Sequence, residues 1–198
     1  SLLQRFSSPK GDAPLTLVVN HLKSKGSACF EDYPDYATAD PLDGQGHCNA
    51  LRVSAAKVLG ERLKEVSGDL LLIGDLNAYG MEDPIRVLTD YDPAAQPRQI
   101  MSASFTTLAG QPFEESGSAL GKGYGLVNLN TRFHGTDTYS YSYEGELGNL
   151  DHALASPGLA AKVIGIEDWH INSAESNFFE YGSKYTGQLA KSDGPFSA

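Results

Sequence analysis

Three short stretches carry residues whose types and spacing suit phosphoryl chemistry. Gly74-Asp75-Leu76-Asn77-Ala78 follows an apolar run, and its glycine permits a tight turn. Asp75 and Asn77, two apart, point to one side of an extended segment, so that a carboxylate and an amide converge. The carboxylate can hold or deprotonate a water near a metal, while the amide steadies a phosphate oxygen or the metal. A plain Asx turn leaving a strand has the same composition. The second stretch centres on His21, whose imidazole can polarise a phosphate oxygen or protonate a leaving group. Lys23, Ser24 and Lys25 follow at once, two ammonium groups and a hydroxyl of the kind that position a phosphodiester; a solvated basic turn is the alternative. Third, Leu150-Asp151-His152 sets a charged pair in a strand-like segment, where a carboxylate orients a histidine or binds a metal unless the pair lies on the surface. His170, in Asp168-Trp169-His170-Ile171-Asn172, reads as structural.

The elements that must hold these residues are legible in part. Leu15 to Val19 is a β-branched run that fits a buried strand ending at Asn20-His21. Residues 26 to 48 read as a long surface loop. Asn49 looks like the N-cap of an amphipathic helix over Leu51 to Val66, with Leu51, Ala55, Ala56, Val58, Leu59, Leu63 and Val66 on the apolar side and Arg52, Lys57, Glu61, Arg62 and Lys64 on the other. Ser67-Gly68 ends it, and Asp69 to Ile73 is an apolar run suited to a central strand covered on both faces. Asp83 and Pro84 suit the N-cap and first position of a second helix. Residues 92 to 125 suggest loops with short strands. Tyr139 to Tyr143 and Leu150 to Ser156 alternate like strands joined by a Gly145 to Gly148 turn, and a further strand is expected over Ala161 to Ile166.

The chain has 198 residues, 40% of them hydrophobic, which suits a single domain with one core. No apolar run is long enough to cross a bilayer, and Ser1 to Phe6 lacks the layout of a signal peptide. A net charge of −10 argues against holding a phosphate backbone by bulk electrostatics. It leaves room for a metal cation and a few local cations to do so. Cys29 and Cys48 lie in polar loop sequence and suit a disulfide, which places the chain in an oxidising compartment; two thiols or a pair of metal ligands are the alternatives.

Taken in order, Asn20-His21-Leu22-Lys23-Ser24-Lys25-Gly26, Cys48-Asn49-Ala50-x-Arg52, Gly74-Asp75-Leu76-Asn77-Ala78-Tyr79 with Glu82-Asp83-Pro84, Tyr139-Ser140-Tyr141 and Leu150-Asp151-His152-Ala153-Leu154 resemble the motifs of the endonuclease/exonuclease/phosphatase family. The likeness is greatest to secreted bacterial endonucleases of the ExeM type, relatives of deoxyribonuclease I, and runs from about Leu15 to Asn172. It implies an α/β fold, a four-layer α/β/β/α sandwich with the active site at one end. It implies roles too: His21 as phosphate-polarising group or leaving-group acid, Asp75 as the aspartate that orients or activates water, Asn77 as phosphate and metal ligand, and Asp151 as the partner of a second histidine. Asn20, Lys23, Ser24, Lys25, Arg52 and Tyr79 fall at substrate-binding positions. The implied cofactor is a divalent metal, Mg²⁺ before Mn²⁺ or Ca²⁺, held in part by Asp75 and Asn77.

Two departures bear on this likeness. The family's final Ser-Asp-His-x-Pro motif has as its nearest counterpart Ser192-Asp193-Gly194-Pro195, with glycine where histidine belongs, and only twenty residues precede His21, where the family's metal-binding glutamate would lie further upstream. The expectation is therefore the C-terminal portion of one domain, truncated at both ends. The expected function is secreted, extracellular or periplasmic, metal-dependent phosphodiester hydrolysis of nucleic acid, DNA before RNA, with no stable protein partner and no membrane. Alternatives are a phosphodiesterase acting on a phospholipid head group, for which Phe178-Phe179 and Tyr181 would be the apolar contact, and a catalytically inactive secreted binding module.

Overall fold

A computed structural model describes residues 1–11, 13–26, 43–103, 106–108, 111–114, 117–143 and 145–170. Cys29, Phe178-Phe179, Tyr181 and Ser192-Asp193-Gly194-Pro195 lie outside the described residues, so the expectations placed on them do too. In chain order the elements are β1 (Leu2–Phe6), β2 (Leu15–Val19), α1 (Asn49–Leu63), β3 (Asp69–Asp75), α2 (Asp83–Leu88), β4 (Thr106–Leu108), β5 (Gln111–Glu114), β6 (Val127–Asn128), α3 (Leu129–His134), β7 (Tyr141–Tyr143), β8 (Glu146–Gly148), β9 (Asp151–Ala155) and α4 (Pro157–Ala160). The class is mixed α/β.

A five-stranded sheet in the order β1-β2-β3-β9-β6 forms the frame, with β2 parallel to β3 and the other pairs antiparallel. As its apolar run suggests, β3 lies at the centre, and it extends two residues beyond Ile73 to Asp75. Cross-strand partners share a face. Thr16, Val18, Leu70, Leu72 and Leu154 make one face, and α1 and α2 cover it with Val53, Ala56, Leu59, Leu63, Ile85 and Leu88. The opposite face is covered unevenly. Leu71, Ala153 and Ala155 pack with Leu129, Leu159 and Ala160 of α3 and α4, whereas Leu2, Phe6 and Val19 on the same side remain exposed.

Several expectations are corrected here. Helix α1 starts at Asn49 after a left-handed Cys48 (φ 63°), and the Asn49 side chain donates to Asp83 Oδ2 at 2.7 Å instead of capping. Its buried side is rotated from the apolar stripe to include Arg52, Val53, Ser54 and Gly60. A second cover explains the rotation: Ser54 Oγ accepts from the Ala103 backbone at 2.9 Å, and the Tyr124 ring lies where a Cβ on Gly60 would sit. Helix α2 has Glu82, not Asp83, as its N-cap, a shift of one residue. The stretch Gly145 to Gly148 is not a plain turn, because Glu146–Gly148 pairs with Tyr141–Tyr143 as a separate hairpin. Nor is Ala161 to Ile166 a strand. Ser156 caps α4 through Leu159 N, and backbone bonds from Lys162 and Val163 to Leu159 O prolong the helical turn through those residues.

Candidate active site

Parallel strands β2 and β3 end at the same edge of the sheet at which antiparallel β9 begins, so three segments distant in sequence meet there. The ladder runs past β2: Asn20 N donates to Ile73 O and Leu22 N to Asp75 O, each at 3.0 Å, which holds His21 beside Asp75. His21 Nε2 lies 3.6 Å from Asp75 Oδ2, and both groups are open to solvent. Across the other ladder Asp75 is the register partner of Asp151. Directly opposed residues present their side chains to one face. The structure thus brings His21, Asp75 and Asp151 together on the face that α1 and α2 leave open.

Asn77 joins them by a turn. Its backbone is left-handed (φ 47°), a conformation asparagine tolerates better than most residues. Asn77 N donates to Asp75 Oδ1 at 2.8 Å, so the Asx turn is present, and Asn77 Nδ2 donates to Leu22 O at 3.1 Å. With Oδ1 engaged in the turn, Asp75 faces His21 through Oδ2. Gly74 makes the junction possible: at φ 134° a Cβ would stand 1.9 Å from Asn20 O. Ser140, which the motif contained without a role, receives the Leu150 and Asp151 backbone N–H groups at 3.1 and 3.0 Å and so fixes the entry to β9.

The residues expected to touch substrate divide. Ser24 is exposed and accepts from Gly26 N, while Lys23 Nζ donates to Ser24 O at 3.1 Å. Lys25 is turned inward: it pairs with Glu82 and its ammonium lies 4.1 Å over the Tyr79 ring. Glu82, 5% exposed, also accepts from Tyr79 N at 3.1 Å; burial pushes its carboxyl up, and Lys25 opposes that shift. Burial, aided by Glu82, pushes the Tyr79 phenol up as well. Asn20 is buried, its Oδ1 accepting from Ser1 Oγ.

Arg52 departs furthest from expectation. Placed by its sequence on the polar side of α1 and at a substrate position, it is 0% exposed. Its guanidinium donates to the carbonyls of Lys23, His47 and Gln45 at 3.2, 2.6 and 2.9 Å, a positioning role that ties the loop before α1 to the segment after His21. Burial lowers its pKa, and Glu82 nearby raises it. Beside it Asp83 accepts from Asn49 and Arg98, and its backbone N–H donates to Gln45 Oε1 at 2.8 Å. The His170 ring stacks on Tyr139 at 3.8 Å, in keeping with its structural reading.

His152, next to Asp151, projects to the core side opposite Gly74 and is 3% exposed. Burial lowers its pKa below the ordinary histidine value, with Ala78 O, 2.7 Å from Nε2, opposing. Among the described residues no group of three or more His, Cys, Asp or Glu is arranged to hold a metal, and Cys48 is not a free thiol. The register partners Asp75 and Asp151 carry hard carboxylate oxygens. That chemistry fits Mg²⁺, which commonly takes one or two carboxylates and fills its shell with water and phosphate oxygens. No helix among the described residues is long and apolar enough to cross a membrane. No family model matches the chain, and no similar curated protein or solved structure was found.

Proposed function

We propose that this protein hydrolyses phosphodiester bonds of nucleic acid, DNA before RNA, with the help of a divalent cation. One observation carries the reading: three strand ends set His21 3.6 Å from Asp75, and Asp75 opposite Asp151, on an open face. Asp75 takes the proton of, or orients, the attacking water, and His21 polarises the phosphate or protonates the leaving oxygen. Asn77 presents its amide oxygen to the cation, and Asp151 adds a second carboxylate. A bound cation supplies charge stabilisation at the phosphoryl oxygens. Exposed Leu2, Phe6 and Val19 on the same side of the sheet are consistent with a second layer there, and hence with a deoxyribonuclease I-like four-layer sandwich. Secretion belongs to the same reading and rests on the disulfide expected between Cys29 and Cys48.

Nicking of supercoiled plasmid by the protein expressed from its full reading frame is the test. Cleavage with Mg²⁺, its loss on chelation and a fall of about 10²-fold or more in His21→Ala are the expected results. Cleavage indifferent to both the chelator and the substitution would overturn the proposal.

A further inference from the structure

Beside this cluster lies a cavity of about 340 Å³ that the chemistry above does not use. Its walls include Tyr79, Met81, Leu147, Asn149 and His152, and Tyr79 and Asn149 stand two residues from Asn77 and Asp151. Asn149 is 6% exposed, its Nδ2 lies 3.3 Å from Thr138 Oγ1, and its Oδ1 has no hydrogen-bond partner. The two ends of an amide are told apart by their surroundings. Thr138 has one hydroxyl proton and gives it to Asp168 Oδ2 at 2.6 Å, so toward Asn149 it can only accept. The amide nitrogen must therefore face Thr138. What remains is a carbonyl oxygen sealed from solvent whose desolvation nothing offsets, and a small turn of the Asn149 side chain toward the cavity lets a ligand N–H satisfy it.

The rest of the cavity narrows the ligand. His152 offers the space a ring whose Nε2–H is committed to Ala78 O and whose burial disfavours the charged form. No Lys or Arg lines the space, whereas Glu146 does, which disfavours a phosphate there. The Tyr79 ring, which packs on Gly148, and Met81 and Leu147 are apolar surfaces, and Gly80 leaves the backbone open to close approach. Met81 and Leu147 are 71% and 62% exposed, and on the hairpin that carries Leu147 the Tyr141 and Tyr143 rings stack 6.4 Å apart. Such a space takes a flat, uncharged ring with an N–H on its edge, attached to a charged group that lies elsewhere.

We propose that this cavity is the subsite for one nucleobase, whose ring N–H or exocyclic amine donates to Asn149 Oδ1 while its phosphate lies at His21 and Asp75. The assignment rests on the phosphodiesterase reading and names the part of the substrate held next to the phosphate. Calorimetric titration of the protein with the four deoxynucleoside 5′-monophosphates, a dinucleotide, 2-deoxyribose 5-phosphate and inorganic phosphate tests it. At least one nucleotide is expected to bind about tenfold more tightly than the sugar phosphate, a difference worth one good hydrogen bond. Asn149→Leu should abolish that difference and leave sugar-phosphate binding unchanged. Leu147→Ala, at an exposed position where folding is not at risk, should weaken the nucleotide alone. Tighter binding of the dinucleotide supports a base within a strand, and equal binding supports a free nucleotide in the same subsite. Equal affinity for nucleotide and sugar phosphate overturns the subsite and leaves the phosphate site standing. Loss of nucleotide selectivity in Asn149→Leu with no effect of His21→Ala on any phosphate-bearing probe supports the base pocket and removes the phosphate site. Binding of phosphatidylcholine vesicles, lost in Leu147→Ala, with no nucleotide binding overturns it in favour of a lipid surface.

Discussion

Two polar clusters flank the end of β3, and their members come from the same motifs. His21, Asp75 and Asp151 stand on the open face with few constraints on their charged atoms, His21 keeping 74% of its side-chain surface. Lys25, Arg52, Glu82 and Asp83 lie beneath, their charged atoms directed at backbone carbonyls, at one another or at Arg98. A motif thus mixes residues that can act with residues that hold, and burial separates them. The exposed cluster is free to meet a ligand, whereas the buried one fixes the loops on which the first depends.

This division predicts opposite responses to substitution. Gly74→Ala lies where the two clusters join and should disturb both; with Asn20 O 1.9 Å from the new Cβ, unfolding should become easier by about 3 kcal/mol or more, read from urea midpoints. His21→Ala should reduce phosphodiester cleavage by about 10²–10⁴-fold while stability stays within about 0.5 kcal/mol of the parent. For Arg52→Met the order reverses: three carbonyls lose their donor, and stability should fall by about 2–4 kcal/mol. Lost activity with unchanged stability in Arg52→Met would place its guanidinium among the acting residues instead.

The smallest effect is a pH dependence on the core side. His152 has its folded pKa depressed by burial below the ordinary histidine value of about 6.5, so the unfolded chain takes up a proton that the folded one refuses. Stability from this residue is present above about pH 6.5 and declines as pH falls toward the folded pKa, with a slope of at most about 1.4 kcal/mol per pH unit. Thermal unfolding of the parent and His152→Asn between pH 7.5 and pH 5 as starting conditions, about the unperturbed histidine range, measures it. A parallel decline in both proteins would remove the attribution to His152.

Much of the frame was readable because its signals are local. The β-branched run of β2, the apolar run of β3 and the Asp83-Pro84 helix start need little tertiary information. Convergence of His21, Asp75, Asn77 and Asp151 also followed from strand ends that carry polar residues. What failed depends on partners remote in sequence. The rotation of α1 is set by Ala103 and Tyr124, and the burial of Arg52 by carbonyls of the loop before it. The β7–β8 hairpin escaped because Gly145 to Gly148 combines turn-like glycines with paired backbone. Asn149 carried no signal at all, since its unpaired oxygen is defined by Thr138 and Asp168.

The order of the sheet has a kinetic side. Asp75 and Asp151 are register partners although they stand 76 positions apart, and β3 bonds to β9 only after α2, the β4–β5 pair, β6, α3 and the β7–β8 hairpin have been threaded between them. Contacts so distant in sequence carry a large loop-closure entropy and form slowly. Pairing of β3 with β9 is therefore expected late in folding, and the cluster comes into being with it. Until then β3 presents a bare edge along Leu71 to Asp75, open to the wrong strand, so the step that completes the site also closes a route to aggregation.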